Sequence, residues 1–396
     1  MVGIVFLLMA YLLSQFYRSF LAVLSQILGA DIGLSATDLS NASAAWFIVF
    51  ALAQFPIGHW LDKFGPRRTA AGLLLIGGAG GIGLFAMATS SLHITIAMGF
   101  IGLGCAPVLM AALFLFAHNF SPVKFATMTS VFVGLGTLGN VLGSEPLAIL
   151  VEAQGWRNTA WGLCAITGLV ALGIFLSVSD PETEGKGTTR GSIIDLFKIR
   201  ELWLIFPMVF MGYTIAAGVR GLWAGPYLAD MFAMGTDEIG RVTLYMSLAL
   251  ALGSLIYGPL DRVFNTRKWL VFVGYVLVLM AVLWLLLADQ KQAWQVTISF
   301  VVIGFFGAGY SIQMAHGKGF VPKYLVGRGV TLLNFFSIGG AGAMQAISGY
   351  VVAGAAAKGG MEAGYDALYL FYAVAVALAL FVYLFSKDNF PNDVPR

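Results

Sequence analysis

Apolar and polar positions along the chain do not alternate with the two-residue period of a half-buried strand. Nor do they form the narrow apolar stripe of a soluble helix; the chain is a series of long, uniformly apolar runs separated by short polar breaks. Taking about 20 apolar residues as the length that crosses a hydrocarbon core, the runs predict twelve helices. These lie near 3 to 29, 44 to 62, 69 to 90, 93 to 118, 125 to 151, 156 to 179, 202 to 230, 239 to 260, 268 to 288, 293 to 321, 327 to 355 and 365 to 387. The one long polar connection begins Asp180-Pro181-Glu182. It predicts a six-helix bundle over 1–179, a linker over 180–200 and a second six-helix bundle over 201–396. Within the linker, Ile193, Ile194, Leu196 and Phe197 predict a short helix lying at the membrane surface.

Composition agrees with this pattern. The chain is 59% hydrophobic and 10% charged, whereas roughly a quarter of the residues of a soluble domain carry charge. An all-α membrane protein with many spans follows, in the lipid bilayer. The net charge of +3 gives no reason to expect a nucleic-acid partner. Cys105 and Cys164 both fall inside apolar runs, so neither a disulfide nor a thiolate metal site is expected. His59, His93, His118 and His316 fall near run ends, where a solvated or interfacial histidine is the ordinary case, and none has a second ligand at metal spacing. The 15 methionines read as packing rather than as a soft-metal path. Gly78-x-Gly80-x-x-Gly83 matches a dinucleotide fingerprint, but it has no strand before it, and close helix packing explains it better. No cofactor and no enzymatic activity are expected. The apolar run from Val2 is too long for a signal-peptide core and reads as the first span.

The positions of the bases set the expected topology. With both termini inside, 16 Lys and Arg fall in inner segments and 4, Arg157, Arg241, Lys291 and Lys358, in outer ones. By the positive-inside rule both ends are cytoplasmic.

One of the inner segments carries more than topology. Gly58-x-x-x-Asp62-Lys63-x-Gly65-x-Arg67-Arg68 returns near 258 to 268 as Gly258, Asp261, Arg262, Arg267 and Lys268, with Asn265 where a second Gly would stand. Pro122 and Pro322, Gly104 and Gly304, and Gly139 and Gly339 share the offset of 200 residues. This is a parallel repeat of a half-chain unit. The loop, placed after a second apolar run and repeated at half-chain spacing, resembles the signature of the major facilitator superfamily, and the resemblance covers the whole chain. It implies two pseudo-symmetric six-helix bundles, a secondary transporter acting as a monomer, and a bacterial inner (plasma) membrane. It also implies a cytoplasmic gate at these loops, made by Asp62, Arg67, Arg68, Asp261, Arg262 and Arg267.

Two bases remain inside spans. Arg18 and Arg220 lie a little past the middle of the first helix of each half, 40 and 38 residues before Gly58 and Gly258. A charge at that depth costs a few kcal/mol and marks a functional site. Only Glu145, in Gly143-Ser144-Glu145-Pro146, is a carboxylate clearly within a span, so the excess positive charge calls for a small anionic substrate in the cavity where the halves would meet. Arginine suits that task because its planar fork holds carboxylate or phosphate through paired hydrogen bonds. Arginines in the first and seventh helices resemble the organic-anion and organophosphate exchangers of the superfamily. Nitrate porters carry theirs in the second and eighth helices, and sugar and peptide symporters keep early carboxylates that this chain lacks. Gln15, Tyr17, Tyr213, Trp223, Asn140, Tyr310, Gln313 and Asn334 are the expected companions of the arginines. Coupling would be to a proton, with Glu145 as its carrier, or to a counter-anion. The alternative is a proton-driven exporter of amphipathic drugs or metabolites, whose fifth helix Gly143 to Pro146 partly matches. A receptor built on the same fold would carry a long cytoplasmic extension, and only eight residues follow Asp388.

Overall fold

The computed structural model describes residues 2–120, 122–180, 193–288, 292–322 and 325–389. Most of the expected linker, 181–192, and the side chain of Asp62 lie outside the described residues. Among those described there is helix and turn but no strand. Nine helices are long and apolar enough to cross a membrane, or up to eleven when each of two bent pairs is taken as one span. Large apolar side chains stand on their outer faces, with Leu176 74%, Leu287 71% and Ile76 69% exposed. Such side chains are stable where the surrounding solvent is hydrocarbon, and the helix satisfies its own backbone there.

Several boundaries depart from the hydropathy reading, each for a local reason. The first span is two helices, Val2–Phe16 and Phe20–Ile32, bent by 51° at the break. The second helix starts at Ala36, well before the apolar run, because Ser35 and Asp38 form a capping box. The Ser35 hydroxyl accepts from Asp38 N, and the Asp38 carboxylate accepts from Ser35 N at 2.9 Å. The fifth span bends by 41° between Val131–Leu142 and Glu145–Gln154. The long stretch Val326–Leu384 is broken at Gly360, whose φ of 82° ends one helix and starts the next.

The described chain forms two compact units, Met1–Lys186 with Met234–Leu244, and Gly187–Ala233 with Tyr245–Arg396. In the first, the helix Ser91–Cys105 lies so close to the turn Leu74–Ala79 that a side chain at Gly104 would collide with the backbone of Gly77 and Gly78. A side chain at Gly139 would likewise strike the carbonyl of Leu12. The second unit has approaches of the same kind, with Gly304 against the Met246 carbonyl, as Gly102 meets that of Trp46, and Gly340 against that of Phe210. The glycine-rich stretch around Gly78 is therefore a helix-packing surface, as its apolar setting suggests.

Candidate functional site

In the first unit, Arg18 occupies the break between Val2–Phe16 and Phe20–Ile32. Its backbone N donates to Gln15 O at 3.3 Å, a tightened turn in place of the α-helical bond. The half-buried guanidinium lies over two rings of the second helix, 4.9 Å from the Trp46 centroid and 5.0 Å from that of Phe50. Those rings stack on each other at 5.0 Å and 17°. Aromatic faces attract a guanidinium electrostatically. Ser14, one turn before, is buried. Gln15 is buried; its Nε2 donates to Tyr11 Oη at 2.9 Å, while Oε1 meets no donor among the described residues. Asn140 is buried beside Gly139, whose own position packs on Leu12 and Gln15. Tyr17 turns the other way, into the bundle, where its hydroxyl and that of Thr167 are 2.8 Å apart.

The second unit places Arg220 at 0% exposure inside a π-helical turn, Val219–Trp223. Such a turn holds one residue more than an α-helical turn and recurs at functional sites. Tyr213 stands at another interruption, between the helices Arg200–Gly212 and Thr214–Gly218, and its hydroxyl accepts from Arg220 Nη2 at 3.5 Å. Trp223 Nε1 donates to Ser348 Oγ at 2.9 Å, and Ser348 Oγ donates to Gln345 O at 2.8 Å. Tyr372 and Gln345 pack against Gly218, so with Ser348 three residues of Val326–Leu384 join this cluster. Gln313 packs on Gly212, and the Tyr275 hydroxyl donates to Gly212 O. Tyr310 Oη donates to Asn334 Oδ1 at 2.6 Å, as a separate pair.

The two basic loops are built alike. Gly65 has φ 79°, and Asp180 packs against it while accepting from Arg67 N at 2.8 Å. The Arg67 guanidinium lies over the Phe175 ring at 4.6 Å, and Arg68 is exposed. In the second unit Asn265, at φ 48°, makes the equivalent turn. Asp388 then accepts from Arg267 N at 3.1 Å, from Lys268 N at 2.9 Å and from Thr266 Oγ1. Arg267 binds Asp261 at 3.2 Å and also Asn389, while Arg262 is exposed. A carboxylate on the first backbone N–H groups of a helix satisfies donors that have no partner within the helix, and meets the positive end of its dipole. Asp388 is held below the usual carboxylate range: its partial burial raises the pKa, and these three hydrogen bonds, with that of Asn389 N, lower it further than burial raises it.

Asp180 and Asp388 were not among the residues expected from sequence. Their common place, just after the last apolar run of each half, was the available signal. Glu145 forms an ion pair with Arg241 at 3.6 Å, and Arg241 also holds Asp237 at 2.7 Å. The expectation of a solvated His316 is overturned: the residue is completely buried, with Nε2 2.9 Å from Lys387 O and Nδ1 2.7 Å from the Tyr383 hydroxyl. The sequence offered only its nearness to a run end, and the closing chain segment after Tyr383 covers that end. Among the described residues, no cluster of three or more His, Cys, Asp or Glu could hold a metal ion.

Comparison with known proteins places this geometry in a family. A fosmidomycin resistance protein of Escherichia coli (strain K12) is 23% identical over 344 residues, spanning 85% of this chain and 83% of that protein. A probable L-galactonate transporter of the same organism is 23% identical over 264 residues, 61% of this chain and 57% of that one. A crystal structure of a bacterial homolog of the human lysosomal transporter Spinster, in an inward-facing and occupied conformation, superposes with a TM-score of 0.75 at 16% identity, covering 97% of this chain and 96% of the other. The profile of the Major Facilitator Superfamily matches residues 7–224. With two glycine-packed helical units, a repeated basic loop and an arginine at a helix break in each unit, the chain belongs to the Major Facilitator Superfamily of membrane transporters, and is no enzyme.

Proposed function

We propose that the protein moves a small organic anion, a carboxylate or phosphate ester, across a bacterial inner membrane by alternating access, with Arg18 and Arg220 as its binding groups. The observation that carries this reading is the placement of both arginines where the helical hydrogen-bond ladder is interrupted. Irregular backbone at membrane depth is stable where protein buries it or where it lines a ligand path. A cation there at 0% exposure, with hydroxyl and amide groups around it, favours a ligand that brings negative charge. Gln15, Tyr213, Asn140 and Gln345 would orient that ligand. The Asp180 and Asp388 caps, with Arg67, Arg68, Asp261, Arg262 and Arg267, would hold and release the gate ends of their helices. The relative named as a galactonate transporter agrees with a carboxylate substrate.

The test is a thermal-shift screen of the purified protein against carboxylates, phosphate esters, sulfonates and neutral or cationic controls, with Arg18→Ala and Arg220→Ala in parallel. A ligand at one hundred times its dissociation constant stabilises the fold by about 2.7 kcal/mol. One anion class should raise the melting temperature of the wild type and of neither variant. Equal stabilisation of all three proteins by cations or neutral amphiphiles would instead support export of amphipathic compounds. That second reading is favoured by one observation, the coverage of the relative named as a fosmidomycin resistance protein.

A further inference from the structure

Trp46 is 0% exposed in the middle of the helix that faces Arg18, and its Nε1–H finds no acceptor among the described residues. Leaving a donor buried and unpaired is destabilising, so a sequence keeps one only where something compensates. The ring's other contacts are aromatic or cation–π. One face stacks on Phe50 at 5.0 Å, Phe47 meets it edge-on at 4.9 Å, and the Arg18 guanidinium lies 4.9 Å from its centroid. A phenylalanine could make all three of these contacts; only the indole adds the N–H.

We propose that Trp46 is a binding residue of the Arg18 site, its ring holding the guanidinium by the face and its Nε1–H giving the same oxyanion a further donor. This rests on the anion reading above and names a group that reading does not use. Arg18 on its own presents donors along one edge of a plane. A second donor from another helix fixes the orientation of the bound oxyanion, and it makes the N–H satisfied only in the liganded protein. Trp46 thereby links occupancy of the site to the contact between the broken first helix and the second helix.

The experiment uses the purified full chain with three probes, tartrate, glycerol 3-phosphate and ethanesulfonate, one for each oxyanion type. Dissociation constants and unliganded melting temperatures are measured for wild type, Trp46→Phe, Trp46→Leu and Arg18→Ala. For whichever probe binds the wild type, Trp46→Phe should weaken binding about ten-fold while the unliganded melting temperature stays equal or rises, since an unpaired buried donor has been removed. Trp46→Leu, which also removes the ring face under the guanidinium, should bind more weakly still. Unchanged affinity in Trp46→Phe overturns the assignment, and so does a loss of affinity matched by a fall in unliganded stability, the mark of a packing role. Where Arg18→Ala abolishes binding but Trp46→Phe does not change it, this inference fails and the anion reading stands. Wild-type affinity in Arg18→Ala, or binding of none of the probes to the wild type, overturns both.

Discussion

At the scale of single residues, the charged groups sort by what they hold. Asp388 ties three consecutive residues, Thr266, Arg267 and Lys268, to the end of the last helix. Its carboxyl is held below the ordinary aspartate value of about 3.9, with burial raising it and hydrogen bonds prevailing. A depressed folded-state pKa contributes stability that is fully present above the unfolded value and is lost as pH falls through the folded one. Wild type should therefore lose stability below about pH 4 through this group. Asp388→Ala should be less stable at neutral pH, by about 1 kcal/mol for a lost cap, and should show a flatter profile in acid. Melting temperatures between pH 7 and pH 3 decide it, and parallel curves for the two proteins would remove Asp388 from the account. The depth of Arg18 and Arg220 was legible from sequence because a charge in an apolar run is conspicuous. Tyr213, which meets Arg220, stood out as well, whereas Trp46, which meets Arg18, looks like an ordinary member of its own run.

At the scale of elements, the same apolar composition produces three kinds of helix, and close approach separates them. Gly139 and Gly340 bring backbones together at equivalent places in the two units. Gly139→Leu should force the first and fifth spans apart and destabilise by about 1–3 kcal/mol or more. Gly162, in the helix Trp156–Ser177, has open space beside it; Gly162→Ala should be neutral or stabilise by up to about 1 kcal/mol through helix propensity. Equal melting temperatures for the two variants would contradict this packing. The π-helical turn Val219–Trp223 allows a different prediction, because its extra residue can be removed. Deleting Gly221 should restore a regular helix and leave helical content unchanged by circular dichroism, while abolishing stabilisation by anions. Retained binding in the deletion would show that the turn does not present Arg220 to a ligand. Hydropathy predicted the spans around both arginines but not the interruptions, because a π-helical turn or a 51° bend changes hydrogen bonding without changing which residues are apolar.

At the scale of the whole molecule, the distribution of bases makes an experimental claim. With 16 Lys and Arg expected on one side and 4 on the other, Lys63 and Lys358 should lie on opposite faces of the membrane. Both are exposed, so single cysteines there can be reached from water. In a background with Cys105 and Cys164 replaced by Ser, an impermeant maleimide added to intact cells should label Lys358→Cys, and should label Lys63→Cys only after the cells are opened. The reverse pattern would invert the topology. The repeat, the spans, the basic loops and the family signature were all readable in one dimension. Each depends on composition within about 20 residues or on an offset along the chain, and lipid imposes the spans whatever the helices touch. Only the tertiary structure decided the partners. The carboxylate that caps Arg67 lies 113 residues away, and the one that holds Thr266 lies 122 away. His316 is buried by residues some 70 positions later, and Trp46 is left with an unanswered donor beneath Arg18. Inside a bundle that is apolar throughout, period and hydropathy are nearly the same on every face, so which polar atom meets which is set by helix breaks and packing distances.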